Sequence, residues 1–119
     1  MRLITLFIAT IFLSINSFSQ VIKPEEAPGL VGKTVTVCGK IFDGRFLDNS
    51  KTSPTLLNMG ATFPKQPITI VIPLAVRKQF GYKPEEVLLN KHICVTGKIT
   101  KYQKSVQIVI DDRKQLRIL

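Results

Sequence analysis

The sequence predicts an all-β domain, a small barrel with one short helix, and three observations point to it. Most of the chain after residue 19 alternates apolar and polar residues, the period of two that is typical of strands. Two alternating segments, Val37–Ile41 and Val95–Ile99, are near copies that each carry a glycine on the apolar face. After Pro73 the alternation gives way to helical spacing.

Five segments have strand character, and residues 60–66, which include Pro64, are the expected turn between the second and third of them. The predicted strands are Thr34–Phe42, Thr55–Met59, Pro67–Ile72, His92–Ile99 and Ser105–Ile110. A glycine inside a strand weakens it unless the backbone must coil or approach another chain closely. The two glycine-bearing strands are therefore expected to be strongly curved, as in a barrel.

A short helix is expected between the third and fourth strands, closing one end of the barrel. Its predicted plug residues are Leu74, Val76 and Phe80, and its solvent-facing residues are Arg77 and Lys78. Gly81 is expected to end this helix. Pro84, followed by Glu85 and Glu86, is typical of the start of a second helical turn.

The resulting order, β-β-β-α-β-β, is that of the five-stranded OB-fold, a Greek-key barrel. Several segments also resemble the small exported bacterial OB-fold domains of the nucleic-acid-binding superfamily. They are Val31–Lys40, Pro54–Gly60 and Lys91–Ile99, followed by Tyr102 and Gln107–Val109. The resemblance implies the fold and leaves the ligand unassigned. The loop predicted for residues 43–53 is longer and more polar than in a minimal member.

The first 19 residues have the features of a secretory signal peptide. A positive start at Arg2 precedes an apolar run from Leu3 to Leu13, and Ser17-Phe18-Ser19 offers a cleavage site before Gln20. The alternative is a membrane anchor, but the run is shorter than the roughly 20 residues of a spanning helix. We therefore expect a signal peptide at 1–19 and an OB-fold domain at 20–119, exported to the periplasm or secreted, with no transmembrane anchor after processing.

The composition is that of an ordinary globular protein with an excess of positive charge. Hydrophobic residues make up 45% and charged residues 21% of the 119 residues, which excludes collagen-like and disordered classes. The net charge is +9, and removal of the signal peptide takes away a single basic residue. The domain is expected to be a monomer that attracts polyanions.

Two cysteines, Cys38 and Cys94, lie 56 residues apart. This separation excludes a CxxC redox pair, and with His92 as the single histidine there is no complete ligand set for a closed zinc site. The first and fourth strands of an OB-fold pair antiparallel, which allows a bridge between the two cysteines. A disulfide is predicted; two partly buried free thiols are the alternative.

Catalysis has little support in the sequence, and no enzyme, metal site or cofactor is predicted. Acid–base chemistry needs carboxylates or histidine that converge in a cleft, whereas the carboxylates here are scattered over different elements. Asp111 and Asp112 could bind a divalent ion, although such a pair more often forms a turn. His92 is expected to be a surface or capping residue.

Ligand binding is the favoured function. OB-folds hold ligands on the second and third strands, between the loop joining strands one and two and the loop joining strands four and five. Cations along phosphates with an aromatic face for stacking suit single-stranded nucleic acid. The predicted contact residues are Arg45, Phe46, Lys65, Lys101, Tyr102 and Lys104. The ligand is expected to be single-stranded nucleic acid or another polyanion; the alternative is an accessory module that binds an envelope protein or glycan.

Overall fold

The computed structural model describes residues 20–119; the predicted signal peptide lies outside them. Seven strands are formed: β1 (Gln20–Ile22), β2 (Thr34–Phe46), β3 (Thr55–Met59), β4 (Ile68–Ile72), β5 (His92–Tyr102), β6 (Ser105–Val109) and β7 (Leu116–Ile118). Two single-turn helices, α1 (Leu74–Arg77) and α2 (Pro84–Val87), lie between β4 and β5. Short 3-10 turns at Pro24–Gly29 and Arg113–Gln115 complete the elements.

Five of the strands close into a barrel in the order β2-β3-β4-β6-β5, because β5 also pairs with β2. The β4–β6 pair is parallel and the other barrel pairs are antiparallel. This closed five-stranded barrel is the OB-fold, which confirms the predicted fold class. The short strands β1 and β7 extend one side of the barrel, pairing with β2 and β5 respectively. Neither was predicted.

The core is built from the inward residues of the alternating strands, which are fully buried. They include Val35, Val37 and Ile41 of β2, Leu57 and Met59 of β3, Ile68, Ile70 and Ile72 of β4, and Ile93, Val95 and Ile99 of β5. Gly97 also faces inward: a Cβ there would lie 2.5 Å from Cγ2 of Ile108. A side chain at this position would collide with Ile108, so the strand requires glycine here.

Several predicted boundaries shift. Strand β2 continues to Phe46, so residues 43–46 belong to a strand and the connection to β3 spans residues 47–54. Strand β5 continues to Tyr102, which pairs with Ser105. The connection predicted between these two strands, residues 100–104, is therefore largely strand and ends in a tight hairpin. Strand β4 starts one residue later than predicted, and β6 ends one residue earlier.

The helical segment closes the barrel end with fewer side chains than predicted. Val76 and Phe80 are buried, but Leu74 is 36% exposed and does not plug the barrel. Arg77 does not face solvent, because its side chain is 12% exposed and pairs with Glu85. Pro84 opens α2 at its first helical position, as predicted.

The two cysteines form a disulfide between β2 and β5. Cys38 and Cys94 are directly opposite in the strand register, with their Cα atoms 4.1 Å apart. This is a non-hydrogen-bonded pair of antiparallel strands, where side chains approach most closely. The predicted bridge is confirmed in the structure.

Candidate nucleic-acid interface

A pocket of about 370 Å³ lies on the outer face of β2, β3, β4 and β6, beside the β5–β6 hairpin. This is the face on which OB-folds hold ligands. Its lining residues are Asp43, Arg45, Leu56, Asn58, Phe63, Gln66, Thr69, Tyr102, Gln103, Ser105 and Gln107. Most of them are polar side chains from the outward positions of strands whose inward positions build the core.

A β-bulge brings Asp43 and Arg45 into this pocket. The pairing register between β2 and β3 shifts between Ile41 and Asp43, so the strand gains one residue and its alternation is reset. After the shift, Asp43 and Arg45 point outward opposite Asn58 and Leu56. Without the bulge, Asp43 and Arg45 would have the inward orientation of Ile41; the shift is the reason that both point to the outer face of the barrel.

The pocket floor is a chain of hydrogen bonds whose direction is set by Asp43. Its Oδ1 accepts from Nδ2 of Asn58 at 2.6 Å, and its Oδ2 accepts from the backbone N–H of Phe63 at 3.1 Å. The Oδ1 of Asn58 then accepts from the hydroxyl of Thr69 at 2.9 Å, which in turn accepts from Nε2 of Gln66 at 3.2 Å. Since an ionised carboxylate can only accept, each amide in the chain has one allowed orientation.

The direction of this hydrogen-bond chain leaves the side-chain oxygen of Gln66 without a donor. Its Oε1 is buried and has no hydrogen-bond partner in the described chain. A buried acceptor without a partner is destabilising unless water or a ligand supplies a donor. The floor thus ends in an acceptor beside the pocket, next to the hydroxyl of Thr69.

Two aromatic rings stand at the rim. Phe63, in the connection between β3 and β4, is 66% exposed, and Tyr102, at the end of β5, is 58% exposed. Large apolar rings left this open are suited to stacking against a flat ligand. The N–H of Phe63 is held by Asp43, so the network of the floor also fixes the backbone that carries one of the rings.

The structure brings some of the predicted contact residues together and separates others. Arg45 and Tyr102 both line the pocket. Lys65, Lys101 and Lys104 are exposed on the surrounding connections and on β5 without lining it.

Phe46 lies elsewhere, on a second, shallower depression beside residues 47–50. The guanidinium of Arg77 stacks 3.7 Å from the centre of its ring, so Phe46 has a packing partner within the domain. Arg77 also donates to the hydroxyl of Thr55 and, through both terminal nitrogens, to the carboxylate of Glu85. This cluster ties α1 and α2 to β2 and β3.

The pKa of Glu85 reflects this environment. Burial opposes ionisation of its carboxyl, but the hydrogen bond and positive charge of Arg77 outweigh that effect and hold the pKa below its ordinary value of 4.5. The pair is structural, because its two side chains are largely buried and face each other.

The polar floor was not predicted from the sequence. Asp43 falls in a predicted loop, and Asn58, Thr69 and Gln107 are outward residues of strands whose prediction rests on their apolar, inward residues. The alternation of the strands could have identified them. If the apolar residues of β3, β4 and β6 point inward, the polar residues between them must share the outer face of the barrel.

Asp111 and Asp112 form a turn: the carboxylate of Asp112 caps the following 3-10 turn, and Gln115 accepts from both backbone N–H groups. His92 is exposed at the start of β5. Within residues 20–119, no group of three or more histidine, cysteine, aspartate or glutamate side chains could hold a metal ion. No helix in the same range is long and apolar enough to cross a bilayer.

The fold and pocket define an OB-fold domain with an open pocket on its outer face. Neither the known protein families nor the curated proteins include a match to this chain. Among solved structures, it is similar to a protein of Leishmania major Friedlin that is provisionally assigned as an aspartyl-tRNA synthetase, with a TM-score of 0.50 and 16% sequence identity. The similarity covers 92% of this chain but only 22% of that protein. It supports the fold.

Proposed function

We propose that this domain binds single-stranded nucleic acid on the pocket face, without catalysing a reaction. The observation that carries the proposal is the arrangement of Phe63, Tyr102 and Arg45 around one pocket: two exposed rings and a guanidinium on the ligand face of an OB-fold. Bases would stack on the rings, and Arg45 with the exposed lysines around the pocket would contact phosphates. The floor amides would contact base edges.

The same proposal includes export and a monomeric domain. A disulfide between β2 and β5 is the kind of bond that persists in oxidising compartments, which supports export. The features of a signal peptide before Gln20 point the same way.

A second candidate, an envelope glycan, is favoured by the polar floor. Amide and hydroxyl groups from Asn58, Thr69 and Gln66, with aromatic rings above them, also suit the hydroxyls and faces of a sugar.

Fluorescence anisotropy with a labelled single-stranded oligonucleotide tests the first candidate. We expect micromolar binding with a log–log salt slope of about −3 if four cations contact phosphates. Tyr102→Ala should weaken binding roughly ten-fold through the loss of one stacked base. Arg45→Gln should weaken it and make the slope shallower.

Two matched controls separate the pocket from the overall charge. Tyr82→Ala removes an exposed ring, and Lys98→Gln an exposed cation, both outside the pocket. Equal effects of the pocket variants and their controls would contradict the proposal. Saturable binding of a glycan in place of the oligonucleotide, lost in Tyr102→Ala, would favour the second candidate.

A further inference from the structure

A second, separate groove lies beside β7. It is lined by Phe80, Tyr82, Arg113, Lys114 and β7 itself, with a volume of about 390 Å³. No residue of β5, the strand that pairs with β7, lines the groove. The groove also shares no lining residue with the pocket beside the β5–β6 hairpin.

The edge of β7 has unpaired backbone groups. Among residues 20–119, β7 is the last strand of its sheet and pairs with β5 alone. Leu119 donates its N–H to the carbonyl of His92, so by alternation the N–H and carbonyl of Ile118 point away from β5. Leu116 donates its N–H to the carbonyl of Arg113 in the preceding 3-10 turn. By the same alternation, the carbonyl of Leu116 faces the outer edge.

The walls of the groove combine an apolar strip with positive charge. The accessible part of the apolar strip is the ring of Tyr82, which packs edge to face on the buried Phe80 at 5.5 Å, together with Ile118, which is 45% exposed. Three exposed cations, Arg113, Lys114 and Arg117, line the groove, and none of its lining residues carries a carboxylate. Such an edge accepts an extended chain with acidic and apolar side chains in alternation.

We propose that this groove binds an acidic, extended peptide segment of a partner protein, which adds a strand to β7. Ile118 would supply the backbone donor and acceptor, the apolar strip would take one set of alternate side chains, and the three cations would contact the acidic set.

Two other occupants fit less well. A second copy pairing antiparallel through β7 about its middle residue would set Arg117 against Arg117, and like charges directly opposite are destabilising. The first 19 residues of this chain carry Arg2 as their one charged residue, so they are not an acidic strand.

To test this proposal, the oxidised domain is titrated with a short synthetic peptide in which glutamate and valine alternate. Binding is followed through the NMR chemical shifts of the domain's backbone amides. We expect shifts centred on β7 and Tyr82, and about ten-fold weaker binding in the triple variant Arg113→Gln, Lys114→Gln, Arg117→Gln. The charge-matched triple variant Lys65→Gln, Lys101→Gln, Lys104→Gln should bind the peptide as the wild type does.

A second probe requires no protein variant. N-methylation of alternate peptide nitrogens removes the donors along one edge of the peptide, and it should abolish binding when that edge is the one facing Ile118. A peptide in which glutamine replaces glutamate lacks the negative charge and should bind about ten-fold more weakly. Equal losses in the two triple variants, or indifference to N-methylation, would overturn the proposal. So would shifts at β7 with anionic lipid vesicles or an oligonucleotide but not with the peptide.

Discussion

Asp43 is the residue on which the ligand face depends, although both of its oxygens are turned toward the protein. Its carboxylate accepts from Asn58 and from the backbone of Phe63, which joins β2, β3 and the connection after β3 at one point. In this arrangement Asp43 is a positioning residue. It orders the amide floor and the backbone of a rim ring.

Replacing Asp43 by asparagine should disturb the floor without removing volume. The new amide can accept only one of the two hydrogen bonds and presents its own donor to a partner that is also a donor. We expect a loss of about 1–3 kcal/mol in the free energy of unfolding, measured by urea denaturation, and weaker oligonucleotide binding. Asp48→Asn, at an exposed carboxylate, is the control. A fully stable Asp43→Asn variant would refute this role.

At the scale of elements, β2 shows how far alternation predicts structure. From Val35 to Ile41 the period is regular, and this part of the strand was predicted correctly. The bulge before Asp43 inserts a residue, so Phe42 and Asp43 break the period and indicate a strand end that does not exist. A bulge depends on pairing with a partner strand, which one-dimensional spacing does not contain.

The same limit explains Phe46 and Arg77. The sequence predicts a ligand contact for Phe46 and a solvent-facing position for Arg77 on the helix, yet the two side chains stack on each other because the bulge turns Phe46 toward α1. The contact joins residues 31 positions apart. Three-residue strands such as β1 and β7 are too short to show a period at all.

The ion pair that joins α1 to α2 should make stability depend on pH. The pKa of Glu85 is lower in the folded chain than its ordinary 4.5, so the unfolded chain binds this proton more readily. The stabilisation is therefore present above about pH 4.5 and is lost as the pH falls through the lower folded value. Urea unfolding at several pH values should show this loss in the wild type.

The Glu85→Gln variant should be less stable at neutral pH by roughly 1–3 kcal/mol, because Arg77 loses its charged partner, and its stability should fall less in acid. Glu86→Gln, at the exposed neighbour, should behave as the wild type. An acid response in Glu85→Gln as steep as in the wild type would assign the pH dependence to other carboxyls.

At the scale of the whole molecule, the barrel was predictable because its strands carry clear alternation and its two inward glycines mark coiled strands. The pocket was predictable only in part: Tyr102 and Arg45 are among the residues predicted from the sequence, whereas the floor depends on register across three strands. The helical end was harder, since a four-residue helix has too few positions to show which side is buried.

Reduction of the Cys38–Cys94 disulfide should lower the stability of the whole domain. The bridge spans 56 residues and restricts the unfolded chain, so we expect a loss of about 2–4 kcal/mol. Urea denaturation with and without reductant measures it, and a variant with both cysteines changed to alanine serves as the reference for reductant effects. Identical midpoints for the oxidised and reduced domain would contradict this expectation.

The position of that bridge also sets the path of mechanical force through the domain. A pull on the chain outside the two cysteines passes from Cys38 directly to Cys94 and bypasses the polypeptide between them, which includes all of β3 and β4. Oxidised, the domain can lengthen only by the segments outside the bridge. A force applied to the two ends of the domain would therefore leave the floor of the pocket unstretched.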